Sequence, residues 1–378
     1  MSNRRHFTVL FVCTDWYEPG GQVYSLINLI HSINEDVEPI VLLPNCGKVK
    51  DIFDNQNIET IVYPFFLLWE KNKPIKTVIH HPNRSTLYRS LVLNRRCAHY
   101  IKNTLKNRHI DIVHSNTSVT TVGHSIANTL HAKHIWHIRE SLTMLGINPY
   151  GGLAKLRRKI NQADGRIVIS QAILNHWQLP KENTFVFHDA IFPSLPTLNE
   201  TQRQKHILFC AAELNDFKGT PIAVEAFCKA HLHGYHLVLA GTCSESYKDK
   251  LLALASTYGK SDKLDFVGYQ DNMEPLYRTS SLFMMCSKFE GLGRVTLEAM
   301  AYGCPVVALA SGGTTDFIHN KETGWLFNTV DECAELLQHI TNSDNSAIIQ
   351  SARELIASEY TETVYGQQII NLYNSLFL

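Results

Sequence analysis

Between Ser281 and Phe317 the chain reads SLFMMCSKFEGLGRVTLEAMAYGCPVVALASGGTTDF, and few folds accommodate that order of residue types. Ser281–Ser287 is a short apolar run of the kind that a buried parallel strand requires. Gly291 and Gly293 bracket Leu292 in the next segment, where backbone without Cβ turns tightly and lets a ligand approach closely. Arg294–Tyr302 carries helix formers, Pro305–Leu309 reads as the next strand, and Ser311, Gly312 and Gly313 form a second loop ahead of another helix start. Two glycine loops at the carboxyl ends of successive strands describe a ligand site at the edge of an open α/β sheet.

Two carboxylates give the stretch its chemistry. Glu290 falls in the first loop and Glu298 about one turn into the following helix. A helix beginning near Gly293 turns its free N–H groups and positive dipole end toward that loop, which suits a phosphate. Carboxylates beside an anion site make sense when the ligand also offers hydroxyls, because an ionised carboxylate accepts hydrogen bonds worth about 1.5–3 kcal/mol each. A nucleotide sugar has both needs: a diphosphate flanked by ribose and hexose hydroxyls.

The two glutamates are separated by seven residues inside FEGLGRVTLEAMAYGCPVV, and SGGTTDFI and ETGWLF follow. From about Gly268 to Phe327 this pattern resembles the retaining glycosyltransferases of family four. The resemblance implies the GT-B fold, an α/β architecture of two Rossmann-like domains whose parallel sheets face an interdomain cleft. It also implies transfer of a hexosyl or N-acetylhexosaminyl group from a nucleotide-diphosphate sugar to an acceptor hydroxyl, with retained configuration. The acceptor class it implies is a glycan or lipid-linked saccharide in surface polysaccharide synthesis. A nucleotide-sugar epimerase, or a catalytically silent nucleotide-sugar-binding scaffold, is the alternative on the same fold.

The rest of the chain is consistent with that frame. At 378 residues it is too long for one ordinary core, so two domains are expected. We expect an amino-terminal Rossmann-like domain over 1–189, a linker over 190–204 marked by Pro193 and Pro196, and a nucleotide-sugar-binding domain over 205–355. By resemblance, a helical segment over 356–378 packs back on the first domain. The formal net charge of zero argues against a nucleic-acid binder, and the nine cysteines include no C-x-x-C pair. No signal peptide opens the sequence, and no apolar run approaches the roughly 18 residues needed to span a bilayer. The expected location is therefore cytoplasmic, with the inner face of the cell membrane as an extension.

That extension comes from residues 65–108. Phe65, Phe66, Leu67, Leu68 and Trp69 run in succession, and ten Lys/Arg between Phe65 and Arg108 face a single acid, Glu70. Aromatic residues beside a basic helix can make peripheral contact with an anionic membrane, at up to about 1 kcal/mol per cation, and a buried strand or loop next to a solvated basic face is the alternative.

Strand-like and helix-like runs alternate through the first half, beginning with Phe7–Cys13. Gly20 and Gly21 follow that first strand, where backbone N–H groups can meet a phosphate. WHIRE, Trp136–Glu140, closes another strand, and by resemblance His137 is the cleft histidine near the transferred sugar. His114, Asn116 and Arg139, also near strand ends, are the expected acceptor side.

In the second half, His206–Ala212 opens a new series, and Lys218-Gly219 stands just ahead of its first helix. An ammonium there complements a diphosphate, and its position resembles the family's donor-phosphate lysine. Many family members carry arginine five residues earlier, where this chain has Glu213. Arg294 is expected to supply the missing positive charge. Glu290, His137 and Lys218 are thus the expected catalytic residues; Gly20, Gly21, Lys218, Glu290, Gly291, Leu292, Gly293, Arg294 and Glu298 are the expected donor-binding set. No D-x-D triplet occurs, so no metal cofactor is expected and the nucleotide sugar acts as co-substrate.

Overall fold

Apolar runs short enough for parallel strands recur through both halves, and in the computed structural model they assemble into two sheets. The structure describes residues 5–67, 84–144, 146, 149, 152–198 and 203–378, with backbone alone for 84–90. The first sheet contains β1 (Phe7–Val12), β2 (Val37–Leu43), β3 (Glu59–Val62), β4 (Ile112–Ser115), β5 (Lys133–Ile138), β6 (Gly165–Val168) and β7 (Thr184–Val186). Its order is β3-β2-β1-β4-β5-β6-β7, with every pairing parallel. Helices such as Gly21–Ser32 and Val122–Leu130 make the crossovers.

Strand periodicity explains how this sheet is buried on both faces. Phe7, Val9 and Phe11 enter one hydrophobic cluster, whereas Leu10 and Val12 enter another. The second sheet contains β8 (Gln204–Glu213), β9 (His236–Thr242), β10 (Leu264–Gly268), β11 (Ser280–Met285), β12 (Val306–Leu309) and β13 (Trp325–Phe327), in the order β10-β9-β8-β11-β12-β13. Strand order reverses between β1 and β4 and again between β8 and β11, the two places where an open parallel sheet accepts ligands at its carboxyl edge.

The chain divides into two units: Met1–Ala190 with Glu362–Leu378, and Ile191–Thr361. The carboxyl-terminal break therefore falls after the helix Ser346–Glu359, rather than at residue 356. That helix stays with the second unit because Ile356 is fully buried and Arg353 donates to the Ala301 carbonyl. The terminal helix Glu362–Ser375 lies on helix Gly21–Ser32 of the first unit. Gly366 permits that approach, since a Cβ there would stand 2.1 Å from the Ser32 carbonyl oxygen. Of the expected linker, residues 199–202 lie outside the described residues.

Two expectations change. Phe65 and Phe66 are buried, Phe65 in the cluster with Leu10 and Ile101, so neither is available to a membrane. Arg108 is paired with Glu38 at 2.7 Å and Glu59 at 2.6 Å, acids from β2 and β3 that a count along residues 65–108 omits. Leu68, Trp69, Lys71 and Lys73 lie outside the described residues. No helix among the described residues is long and apolar enough to cross a membrane.

Candidate functional site

In the second unit the site is built where β8 and β11 end side by side. After β8 the chain turns on Asn215, whose Oδ1 accepts from the Lys218 N–H at 2.9 Å and whose carbonyl accepts from Thr220 Oγ1 at 3.1 Å. Gly219 sits at φ +76°, and a Cβ there would fall 1.8 Å from the Cys286 carbonyl oxygen just past β11. Glycine is the residue that lets these two strand ends press together. The result is an ion pair: Lys218 Nζ lies 2.8 Å from Glu290 Oε1, with side chains 33% and 17% exposed.

Gly291, Leu292 and Gly293 carry the chain from Glu290 into helix Arg294–Ala301. Gly293 caps that helix at φ 91°, in the left-handed region that favours glycine. Arg294 is the first helical residue, and Thr296 Oγ1 in the first turn is buried without a hydrogen-bond partner among the described residues. Glu298, one turn in, accepts from the Tyr277 hydroxyl at 3.1 Å. Lys218, Glu290 and Glu298 all act electrostatically on the Cys210 thiol. The Cys210 thiol on β8 is pushed up to about 12, first by burial, while Glu298 and Glu290 raise it and Lys218 lowers it. Glu213 ends β8, exposed and paired with Thr242 of β9.

The second glycine loop has a different task from the first. Gly312 and Gly313 press against the Glu290 loop, where a Cβ would lie 2.5 Å from the Glu290 oxygen and 2.2 Å from the Gly291 oxygen respectively. The Gly313 N–H donates to the Glu290 carbonyl at 2.8 Å. The loop continues as a five-residue 3-10 turn, Gly312–Asp316, instead of an α-helix. Thr314 Oγ1 donates back to the Ser311 carbonyl at 2.6 Å and tightens it.

The first unit holds a buried polar cluster at the ends of β4 and β5. Gly20 is extended and Gly21 begins its helix; a Cβ on Gly21 would meet nothing within 4 Å, so packing does not demand glycine there. Gln22 Nε2 donates to the Asn116 carbonyl at 2.9 Å, and Asn116 Oδ1 accepts from Arg139 Nε at 2.9 Å. Arg139 forms a buried ion pair with Asp189, which also accepts from the Tyr365 hydroxyl at 3.2 Å. Burial opposes the Arg139 charge, but Asp189, Tyr365 and Glu140 together outweigh it and keep the guanidinium protonated. His114 Nε2 lies 3.1 Å from His137 Nδ1, and His114 Nδ1 lies 2.7 Å from the Tyr373 hydroxyl. Burial, followed by Arg139, drives both imidazoles well below their ordinary range, so both are neutral. His114, Asn116 and His137 are fully enclosed, and their hydrogen bonds run within the unit.

The structure therefore gathers Lys218, Glu290, Gly291, Leu292, Gly293, Arg294 and Glu298 in one unit, and Gly20, Gly21, His114, Asn116, His137 and Arg139 in the other. Residues that sequence reading passed over are Asn215, Tyr277, Asp189, Tyr365 and Tyr373. Only Asn215 carries a local signal, as an Asx turn three residues before Lys218.

Residues 197–355 match the profile of the family described as glycosyl transferases group 1. Over 152 residues the chain is 35% identical to the lipopolysaccharide core biosynthesis glycosyltransferase LpsE of Rhizobium meliloti, covering 40% of this chain and 42% of that protein. Over 266 residues it is 26% identical to N-acetyl-alpha-D-glucosaminyl L-malate synthase of Bacillus anthracis, covering 67% of each. The chain thus spans less than half the length of LpsE, and 43% of a similar glycogen synthase from Thermodesulfovibrio yellowstonii. Its fold matches that of Anabaena Alr3699/HepE in complex with UDP, with a TM-score of 0.77 at 18% identity over 98% of this chain and 100% of that one. A glycosyltransferase of Rickettsia africae matches equally well, with a TM-score of 0.77 at 17% identity over 98% and 99%. The fold is GT-B, and residues 197–355 match the group 1 glycosyltransferase profile.

Proposed function

From this group 1 glycosyltransferase domain, we propose that the chain moves a hexosyl or N-acetylhexosaminyl group from a nucleotide-diphosphate sugar to an acceptor hydroxyl. The observation that carries the reading is the 2.8 Å Lys218–Glu290 pair beside the Gly293 start of helix Arg294–Ala301. It sets a cation for phosphate, a carboxylate for hydroxyls and free helical N–H groups around one spot.

As the sugar C1–O bond breaks, negative charge grows on the departing diphosphate. Lys218, Arg294 and the N–H groups at Gly291–Gly293 stabilise it, which is commonly the largest catalytic contribution. Glu298, steadied by Tyr277, holds the ribose hydroxyls, and Glu290 holds those of the transferred sugar. His137 Nε2, buried without a partner among the described residues, is the donor we assign to the transferred sugar. Configuration is retained, with the departing phosphate taking the acceptor proton. Protein cations take the place of a divalent ion. The Anabaena neighbour was crystallised with UDP-glucose, which supports a uridine diphosphate sugar as donor. LpsE, by its name, builds lipopolysaccharide core, which supports a saccharide acceptor.

The test is release of nucleoside diphosphate from a panel of nucleotide sugars with saccharide and lipid-linked acceptors, in excess chelator. Acceptor-dependent release that survives the chelator is the expected result. Epimerised donor without release, or donor binding with no transfer across the panel, would overturn the reading.

A further inference from the structure

The terminal helix reaches the buried histidines through one hydroxyl. Tyr373 stands 259 positions from His114 in sequence, yet its oxygen is 2.7 Å from His114 Nδ1. The direction of each bond in this chain follows from Arg139, which has only donors to offer. Its Nη2 lies 3.5 Å from His137 Nδ1, and the guanidinium is held in place by Asn116 and Asp189. His137 Nδ1 must therefore present a lone pair, and a neutral ring with a bare Nδ1 carries its proton on Nε2. His114 Nε2, 3.1 Å away, must donate to that lone pair, because two bare nitrogens do not approach so closely. His114 Nδ1 is then an acceptor, and the Tyr373 hydroxyl donates to it.

We infer that Tyr373 is a positioning residue, which fixes His137, through His114, as the tautomer that offers Nε2–H to a ligand oxygen. Every bond runs one way: Tyr373 O–H to His114 and His114 Nε2–H to His137, which leaves His137 Nε2–H as the end of the chain. That last donor is buried and has no partner among the described residues. Most buried polar atoms find a partner, so this one leaves a donor that a ligand oxygen can satisfy. The inference rests on the reading that His137 meets the transferred sugar, and extends it by naming the proton His137 presents and the residue that sets it.

The test uses the full chain labelled with 15N-histidine and two-bond proton–nitrogen correlation, with His114→Gln and His137→Gln for assignment. Wild type is expected to show both rings neutral, each with a protonated Nε2 and a bare Nδ1. Tyr373→Phe keeps the ring edge-on to Phe7 at 5.8 Å and removes only the hydroxyl. It is expected to shift the His114 Nδ1 signal and populate the other His114 tautomer. With the nucleotide sugar that wild type turns over, kcat should fall about tenfold while KM holds. A protonated Nδ1 on His137 in wild type would overturn the inference even if the variant failed to fold, as would unchanged His114 signals in Tyr373→Phe. Wild-type turnover in His137→Ala would instead remove the sugar contact and leave the tautomers standing, so the two readings fail separately.

Discussion

Lys218 Nζ and Glu290 Oε1 meet at 2.8 Å, delivered by the ends of the adjacent strands β8 and β11. Gly219 makes this possible, since any larger residue there would strike the Cys286 carbonyl. Under the proposed function the two groups part, the cation going to a diphosphate and the anion to a sugar.

Replacing that cation tests its share of the chemistry. Lys218→Ala is expected to lower kcat by about 10²–10³, the usual effect of losing one donor to developing charge. Steady-state kinetics with the preferred donor checks this, and a kcat within twofold of wild type would remove Lys218 from the mechanism.

Tyr277 gives a more selective probe. It is 1% exposed, and its hydroxyl donates to Glu298 at 3.1 Å while lying 3.7 Å from Cys210 Sγ. Hydrogen bonds to a charged group are worth about 1.5–3 kcal/mol, so Tyr277→Phe should weaken nucleoside diphosphate binding by about tenfold or more. Titration calorimetry would show it; undiminished affinity would mean that Glu298 needs no such support.

The Arg139–Asp189 pair is a stability element as well as an anchor for the histidines. Both side chains are almost wholly enclosed, at 6% and 4% exposure. Asp189→Asn leaves a guanidinium buried without its counter-charge, which typically costs about 3–5 kcal/mol. Urea unfolding of the two proteins measures the difference, and a loss below about 1 kcal/mol would contradict the assignment.

Acid should destabilise the fold well above the range where carboxylates titrate. Burial holds His114 and His137 far below their ordinary 6.5, and His134 at about 3. Below pH 6.5 the unfolded chain takes up protons that the folded chain refuses. Stability is therefore full above that pH and declines as pH falls, by up to about 1.4 kcal/mol per unit for each histidine. Urea midpoints at pH 7.5 and 5.5 should differ accordingly; a flat profile would mean that these rings accept protons in place.

Which of these features a sequence reveals depends on how local their geometry is. The Glu290–Glu298 stretch is legible because strand, glycine turn and helix are consecutive, so spacing alone places the carboxylates. Lys218-Gly219 is legible only through the family resemblance, because a lysine ahead of a helix start is commonplace. By contrast, Tyr277 meets Glu298, Asp189 meets Arg139 and Tyr373 meets His114 only once the sheets have formed, and no spacing announces those contacts. At Arg108 a linear charge count misleads, because Glu38 and Glu59 reach it from other strands. Gly312 and Gly313 look like a second ligand loop, yet their missing side chains make room for the Glu290 backbone.

Thermal unfolding of wild type, Lys218→Ala and Arg294→Ala against uridine, guanosine and adenosine diphosphates tests the central claim most directly. A ligand at one hundred times its Kd stabilises the folded state by about 2.7 kcal/mol, a shift easily seen. One diphosphate should raise the wild-type Tm clearly and the two variants' Tm far less. No response to any of the three, or the same response in all three proteins, would contradict a diphosphate site at Lys218 and the start of helix Arg294–Ala301.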